Sequence, residues 1–528
     1  LAARVNNRLL MKDRFSPKVI VVGAGMGGLS AAIRLAAAGL SVTVIERQSG
    51  PGGKMRSLPS PAGPVDAGPT VLTLRAVFDA LFETAGERLD DHLHLIAQPV
   101  LARHWWLDGA TLDLFADPEA SAAAIATLAG PKAEAQFRRF NALSAQLYSA
   151  FDGPMMQAAK PALGAIGWSA LRRPGIWGAL QPGLSLANQL VRSFDDPRLR
   201  QLFGRYATYV GGMPHLSPAV LALIWQAEAR GVWAVEGGMH RLAAALGALA
   251  ERQGVSLEYG RSVRRIERQS GRVSGVILSD GRTLKCDAVV FNGDPAGLLA
   301  GLLGNGPQQA LPPSAAHPRS LSAWVWAFAA TPSGADLIHH NVFFASDPAR
   351  EFGPIARGQM PEEATLYICA EDRQRGRPSG PERFEIIMNA PAKSGEPSGE
   401  IAQCRARTFP QLARFGLTFD QMPPDAALTT PAGFAALHPG SQGAIYGRSP
   451  HGTLASFQRP GARTKLPGLY LAGGGAHPGA GVPMAALSGK HAAEAILTDL
   501  TSASKSRQMA MPGGMSMASR TTGRAPSR

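Results

Sequence analysis

Residues 23–28 read GAGMGG, a G-x-G-x-x-G spacing. It follows the apolar, β-branched run KVIVV at 18–22 and opens the helical pattern of 26–39. In that setting each glycine has a task. Gly23 permits a tight turn, Gly25 lets a pyrophosphate reach backbone N–H groups, and Gly28 lets the helix pack closely on the strand. The helix N-terminus then offers unpaired N–H donors and the positive end of its dipole to phosphates. Glu46 closes the next apolar run, 41–46, where a carboxylate accepts the hydroxyl hydrogens of a ribose. These residues predict a dinucleotide site. A glycine-rich turn in an unrelated α/β unit would explain the glycines but not the acid.

Three other stretches bear on the same chemistry. ERQSGPGGKMRS at 46–57 sets Arg47, a pair ending in Gly53, Lys54 and Arg56 directly after the acid. Close backbone approach beside cations suits further phosphate contact; a solvated basic turn is the alternative. VDAGPTVL at 65–72 contains Gly68, Pro69 and Thr70, which by residue type make only a turn. Near the C-terminus, GLYLAGGGAHPGAGVPMAALSGK repeats the order strand, glycine loop, helix. Gly473, Gly474 and Gly475 lie in that loop, and Val482 and Pro483 stand at the helix start, where proline is natural. A second approach of backbone to cofactor is therefore expected. His477 is the titratable group inside this loop and a weak catalytic candidate; otherwise it is a loop residue. No other base stands out.

Several elements must position these residues. Residues 237–256 form a helical pattern, followed to 295 by short strands with turns at Ser270-Gly271 and Asp280-Gly281. Asp294 reads as the start of a turn. Segment 78–150 is mainly helical, with a small strand pair within 102–115, and 321–440 mixes short strands with loops. The block 154–195 is poor in acids and rich in Gly, Pro, Leu, Ala and Trp. Trp168 and Trp177, with Arg172, Arg173 and Arg192, suit a membrane interface; a buried helix pair is the alternative. Residues 1–17 read as an extension, with translation starting at Met11, and 501–528 as a disordered basic tail.

Bulk properties exclude several classes. The 528 residues suggest more than one structural unit, and 45% hydrophobic content supplies an ordinary globular core. Lys and Arg number 53 against 39 acids, a net charge of +14. The basic residues are scattered, without aromatic interleaving or a helix-turn-helix pattern, so nucleic acid is not an expected partner. Three cysteines without a CxxC pair, and histidines without HxxxH or HExxH spacing, argue against a disulfide framework and a metal site and fit a cytoplasmic setting. No stretch reaches the ~18 apolar residues of a membrane span.

The Glu46-Arg47 pair, the glycines to Gly53 and the basic Lys54 and Arg56 resemble the signature of the flavin amine oxidase superfamily. Lys54 stands where that family commonly has Arg, keeping the charge and losing the two-pronged fork. Asp66-Ala-Gly68-Pro69-Thr70 resembles the carotenoid (phytoene) desaturase branch. That branch implies FAD as cofactor, with Gly68, Pro69 and Thr70 passing beside the flavin. SVRRIE at 262–267 resembles the strand whose backbone holds the adenine, at Val263. Gly473–Gly475 with Val482 and Pro483 resemble the loop covering the ribityl chain and flavin edge. Amine oxidases usually carry an acid near Gly474; its absence favours the desaturases.

The resemblance implies an α/β fold: a Rossmann-like, amine-oxidase-type FAD-binding domain interleaved with a mixed α+β substrate domain. Segments 18–90, 226–320 and 451–500 fall to the first; 91–225, membrane-associated, and 321–450 fall to the second. PVDAGPTVLTLRAVFDALF, QPVLARHWWLDGATLDLFADPE and VWAVEGGMHRLAAAL are most similar to the purple-bacterial branch that introduces a C-3,4 double bond into acyclic 1-hydroxy or 1-methoxy carotenoids, on the route to spheroidene-type carotenoids. An acyclic hydrophobic carotenoid, a peripheral membrane surface at the inner or photosynthetic membrane, and oxygen or quinone as electron acceptor are the implied partners. His104, Arg205 and Tyr206 are candidates, by residue type, to meet a polar substrate end. The alternatives are a phytoene desaturase, another flavin oxidase, or a non-catalytic prenyl-lipid-binding chaperone of the same fold.

Overall fold

The computed structural model describes residues 16–395 and 397–509. Met11 and residues 510–528 lie outside them. The strands used below are β1 (Lys18–Val22), β2 (Ser41–Ile45), β3 (Val100–Trp105), β4 (Thr111–Phe115), β5 (Ser256–Glu258), β6 (Ala288–Phe291), β7 (Ser322–Ala330), β8 (His340–Phe343), β9 (Leu366–Ala370), β10 (Glu382–Ala390), β11 (Leu428–Thr429) and β12 (Leu469–Leu471). The helices are α1 (Met26–Ala37), α2 (Pro118–Phe151), α3 (His240–Arg252), α4 (Glu400–Arg414) and α5 (Val482–Met509).

A parallel sheet runs β12–β6–β1–β2–β5. Beyond the exposed Lys18, its central strand is apolar because both faces are covered. Val19 and Val21 point into the cluster formed with α1, α3 and α5, while Ile20 packs with Val276, Leu278 and Val289 on the other side. That second side is closed by a three-stranded antiparallel sheet, Val263–Gln269, Arg272–Leu278 and Thr283–Lys285. The two ends of the chain meet here. Ser30 Oγ on α1 donates to the Ala486 carbonyl of α5 at 2.8 Å. A Cβ at Gly489 would lie 2.2 Å from the Gly27 carbonyl, so only glycine allows this helix contact.

The second sheet runs β11–β7–β10–β9–β8–β3–β4, antiparallel except for β8 beside β3. The strand pair expected within 102–115 is thus the edge of a large sheet. Two further expectations are corrected. Segment 321–440 holds two nine-residue strands, β7 and β10, and the fifteen-residue helix α4. The tail expected from Thr501 is helical as far as Met509. One sheet face, with Trp324, Trp326 and Phe384, packs on α4. The other bears Val342 and packs on a helical layer containing Phe137, Phe203 and Trp225.

Candidate functional site

The two glycine loops, far apart in sequence, touch. A Cβ added at Gly27 would lie 2.4 Å from Gly473 N and 2.7 Å from Asn292 Oδ1. Asn292, at the end of β6, donates from Nδ2 to the Gly23 carbonyl at 3.1 Å, while its buried Oδ1 has no partner. Gly28 packs helix on strand as its spacing predicts: a Cβ there would meet the Gly23 carbonyl at 2.1 Å. The α1 N-terminus at Gly25 has no side-chain cap and no acid in its first turn. Uncapped N–H groups at a positive dipole end, with glycine on every side, fit a pyrophosphate.

Glu46 is buried at the end of β2. Its Oε2 accepts from Ala24 N at 2.7 Å and its Oε1 from Gln48 N at 2.8 Å, which fixes the carboxylate beside the loop. Gly53 lies against Gly25, within reach of its Cα at 3.3 Å from a built Cβ. Arg47 is turned outward, donating to the Ala436 carbonyl at 3.2 Å. Lys54 donates to the Ile445 carbonyl. Burial pushes its ammonium down to about 8; Asp294 opposes this, and Arg319 and Arg459 add to it. Arg56 bonds Thr429 Oγ1, and its Nε has no partner. Cations without carboxylate partners around a glycine cradle fit an anionic cofactor.

The 65–72 stretch threads between the two sheets. A Cβ at Gly68 would come within 1.9 Å of the Lys54 carbonyl, so glycine is needed for the crossing. Asp66 accepts from Met239 N, His240 N and His240 Nδ1, capping α3 and joining this stretch to the returning chain. Thr70 Oγ1 bonds the Tyr367 hydroxyl of β9 at 2.7 Å. Val263 begins the three-stranded sheet opposite Leu278. The Gly474 carbonyl accepts from Arg459 at 2.8 Å, a Cβ at Gly475 would meet Pro295 Cδ at 2.4 Å, and Val482 and Pro483 open α5. Asp294 caps the short helix Pro295–Leu299 through Ala296 N and pairs with Arg319 at 2.6 Å.

His477 is buried. Its Nε2 donates to the Ala158 carbonyl at 2.9 Å, Nδ1 is unpartnered, and the ring stacks on His491. It therefore ties the glycine loop to residues 155–158 of the helical layer. Burial keeps the imidazole below its ordinary value.

Asn292, Arg459 and Glu385 were not foreseen. Asn292 carried a signal, an amide at a strand end before a glycine. Glu385 carried none. It is fully buried on β10, and neither carboxyl oxygen has a hydrogen-bond partner. Burial raises its pKa well above the ordinary range; Asp66 and Glu371 add to this and Arg56 opposes. His339, His340 and Cys369 bring ligand atoms within 4.8 Å of one another. Both imidazoles already have protein partners: His339 Nδ1 bonds the Ala370 carbonyl at 3.0 Å and His340 Nδ1 the Tyr367 hydroxyl at 2.7 Å.

The helix Leu163–Leu171 has no buried residue, so the buried-pair alternative fails there. Trp168 is 59% and Trp177 53% exposed, with the Arg172 guanidinium 4.4 Å above the Trp168 ring. No described helix is long and apolar enough to cross a membrane.

The family model for flavin containing amine oxidoreductases matches residues 26–323. The chain is 67% identical to a hydroxyneurosporene desaturase of Cereibacter sphaeroides, over 93% of this chain and 99% of that one. It is 57% identical to a hydroxyneurosporene desaturase of Rhodobacter capsulatus, over 93% of this chain and all of that one. Among solved structures, wild-type putrescine oxidase bound to putrescine superposes with a TM-score of 0.58, covering 92% of this chain and 99% of its own; at 16% identity this is a likeness of fold.

Proposed function

The chain belongs to the family of flavin-containing amine oxidoreductases, and from that membership we propose that it is an FAD-dependent carotenoid desaturase. It introduces a C-3,4 double bond into an acyclic 1-hydroxy or 1-methoxy carotenoid, on the route to spheroidene-type carotenoids. One observation carries the assignment: 67% identity to a hydroxyneurosporene desaturase over 93% of the chain, far more than the cofactor loops alone could supply.

FAD supplies the hydride acceptor. The chain's own part is binding and orientation. The backbone of Gly23–Gly28 and Gly473–Gly475 would hold the pyrophosphate and ribityl chain, with Glu46 on the ribose and Val263 at the adenine. Lys54 and Arg56 face the same cradle, and Gly68–Thr70 would flank the ring. The aromatic helical layer keeps water out, and a conjugated polyene spreads developing charge, so no strong base is needed. Disrupting the gene should cause a 1-hydroxylated or 1-methoxylated acyclic carotenoid to accumulate. Accumulated phytoene would overturn the assignment in favour of a phytoene desaturase. A purified protein without a dithionite-bleachable flavin would point to the chaperone, and bleaching by an amine to an amine oxidase.

The substrate reaches the site from lipid. The exposed Trp168 and Trp177, with Arg172, Arg173 and Arg192, would enter the interface of the cytoplasmic leaflet, apolar groups inward and arginines at phosphates. Oxygen or a quinone takes the electrons. In flotation with anionic phospholipid vesicles, the Trp168→Glu/Trp177→Glu pair should weaken binding at least ~10-fold, each Trp losing its apolar burial. Unchanged flotation would sink the docking segment.

A further inference from the structure

One group of buried polar side chains has no role in the cofactor cradle. His104 on β3, Val342 on β8 and Tyr367 on β9 share a row of the large sheet, and His340 lies two residues before Val342, so all four share one face. That face packs on the helical layer, which contributes Arg205. Thr70 is bonded to Tyr367, and Tyr367 to His340, so the group continues the stretch assigned to the flavin's flank.

Its polar atoms are conspicuously unspent. His104 Nδ1 faces the Leu112 carbonyl at 3.1 Å. A carbonyl only accepts, so Nδ1 carries the hydrogen and Nε2 presents a lone pair. That Nε2 is buried without a partner, as is Nε2 of His340. Burial holds the His104 imidazole neutral, down to about 3, and the nearby Arg205 charge reinforces this. Arg205 is itself 8% exposed and makes no ion pair among the described residues. Glu228, whose charge acts on Arg205, is hydrogen-bonded by the hydroxyls of Tyr206 at 2.6 Å and Tyr209 at 2.5 Å, and the Arg205 guanidinium lies 4.9 Å from the Tyr209 ring. Arg205 Nε is left unpartnered. Buried donors and acceptors are rarely left so in a finished site.

We propose that this cluster is the substrate's end-group site, and that it selects an aliphatic alcohol over an ether: His104 Nε2 accepts the hydroxyl hydrogen while Arg205 Nε donates to the same oxygen. The proposal rests on the desaturase assignment and deepens it. An oxygen on C1 is only a few bonds from C3 and C4, so its receptor must adjoin the reacting bond, as the Thr70–Tyr367–His340 chain does. A methoxy oxygen could take the Arg205 donor but has nothing to offer His104; a hydrocarbon end meets neither.

The test follows anaerobic flavin reduction in the FAD-bound protein mixed with liposomes carrying the 1-hydroxy carotenoid, its 1-methoxy ether, or the hydrocarbon analogue. The hydroxy compound should be preferred by at least ~100-fold in the second-order rate constant of flavin reduction, as expected for a site built to bond a hydroxyl. His104→Phe should bring that ratio below ~10, and His104→Gln, which keeps an acceptor, should retain part of it. If His104→Phe emerges without flavin, Arg205→Met and His104→Gln carry the same measurement. A wild-type ratio near one, or variants that slow all three substrates in parallel, would overturn the proposal. Failure of every polyene to reduce the flavin would instead overturn the desaturase assignment, and this site with it.

Discussion

On one side of the site, Gly23–Gly28 and Gly473–Gly475 meet backbone against backbone, with Asn292 wedged between them. On the other, the large sheet and its helical layer present side chains: Glu385, Tyr367, His340, His104 and Arg205. The first side, proposed to hold the cofactor through peptide groups, needs the absence of side chains. The second, where we propose the substrate's end group binds, is made of little else. The two sides should therefore fail differently. A Cβ is fatal to the first, whereas the second tolerates isosteric exchange and changes its preferences.

The largest effect is expected at Gly27. Gly27→Val would place carbon where Gly473 N stands, 2.4 Å from an ideal Cβ. Overpacking alone costs about 1–3 kcal/mol. Here it also pries apart the loops proposed to hold the pyrophosphate, so the purified protein should emerge colourless. Flavin absorbance per chain is the measurement. A yellow variant with normal stoichiometry would show that the two loops need not touch.

The same contrast explains what could be read from the sequence. The glycine loops are local patterns, each embedded between a strand and a helix, so pattern and resemblance pointed to Gly23, Gly28, Glu46 and Gly473. Arg459 reaches Gly474, Tyr446 and Arg448 only after folding, and its own neighbours in sequence give no hint of that. Glu385 was hidden for a different reason. In ERFEIIMNA, three charged residues among the first four read as a solvated strand end. Both faces are covered, one by α4 and the other by the 65–72 stretch and the helical layer, so the acid is enclosed. Likewise 321–440 looked broken into short pieces because a doubly covered sheet lacks clean alternation.

His477 sits where the two sides join, and an intermediate effect is expected there. Its ring is pinned to the Ala158 carbonyl, so His477→Ala orphans a buried acceptor, worth about 1–3 kcal/mol. Thermal stability and flavin affinity should both fall, while turnover per bound flavin persists. Full flavin content with lost turnover would be the opposite result, and would move His477 from a tether to a chemical group.

Glu385→Gln should have the smallest effect on flavin content and says most about the substrate side. Burial first, then Asp66 and Glu371, raise the carboxyl well above its ordinary range, with Arg56 opposing. A folded-state pKa above the unfolded one means the folded chain holds a proton that the unfolded chain releases. The stability linked to that proton is complete below the unfolded pKa of about 4.3 and is lost as pH rises through the folded value. Glutamine keeps the shape of the protonated acid and cannot ionise, so it suffers no such loss. Urea midpoints for variant and wild type should nearly coincide around pH 4 and separate in favour of glutamine as pH rises, with flavin retained throughout. If the variant is instead the weaker one at every pH above that range, Glu385 is a charged partner of Arg56. The substrate side would then be held by compensation of charge rather than by neutral polar groups waiting for a ligand.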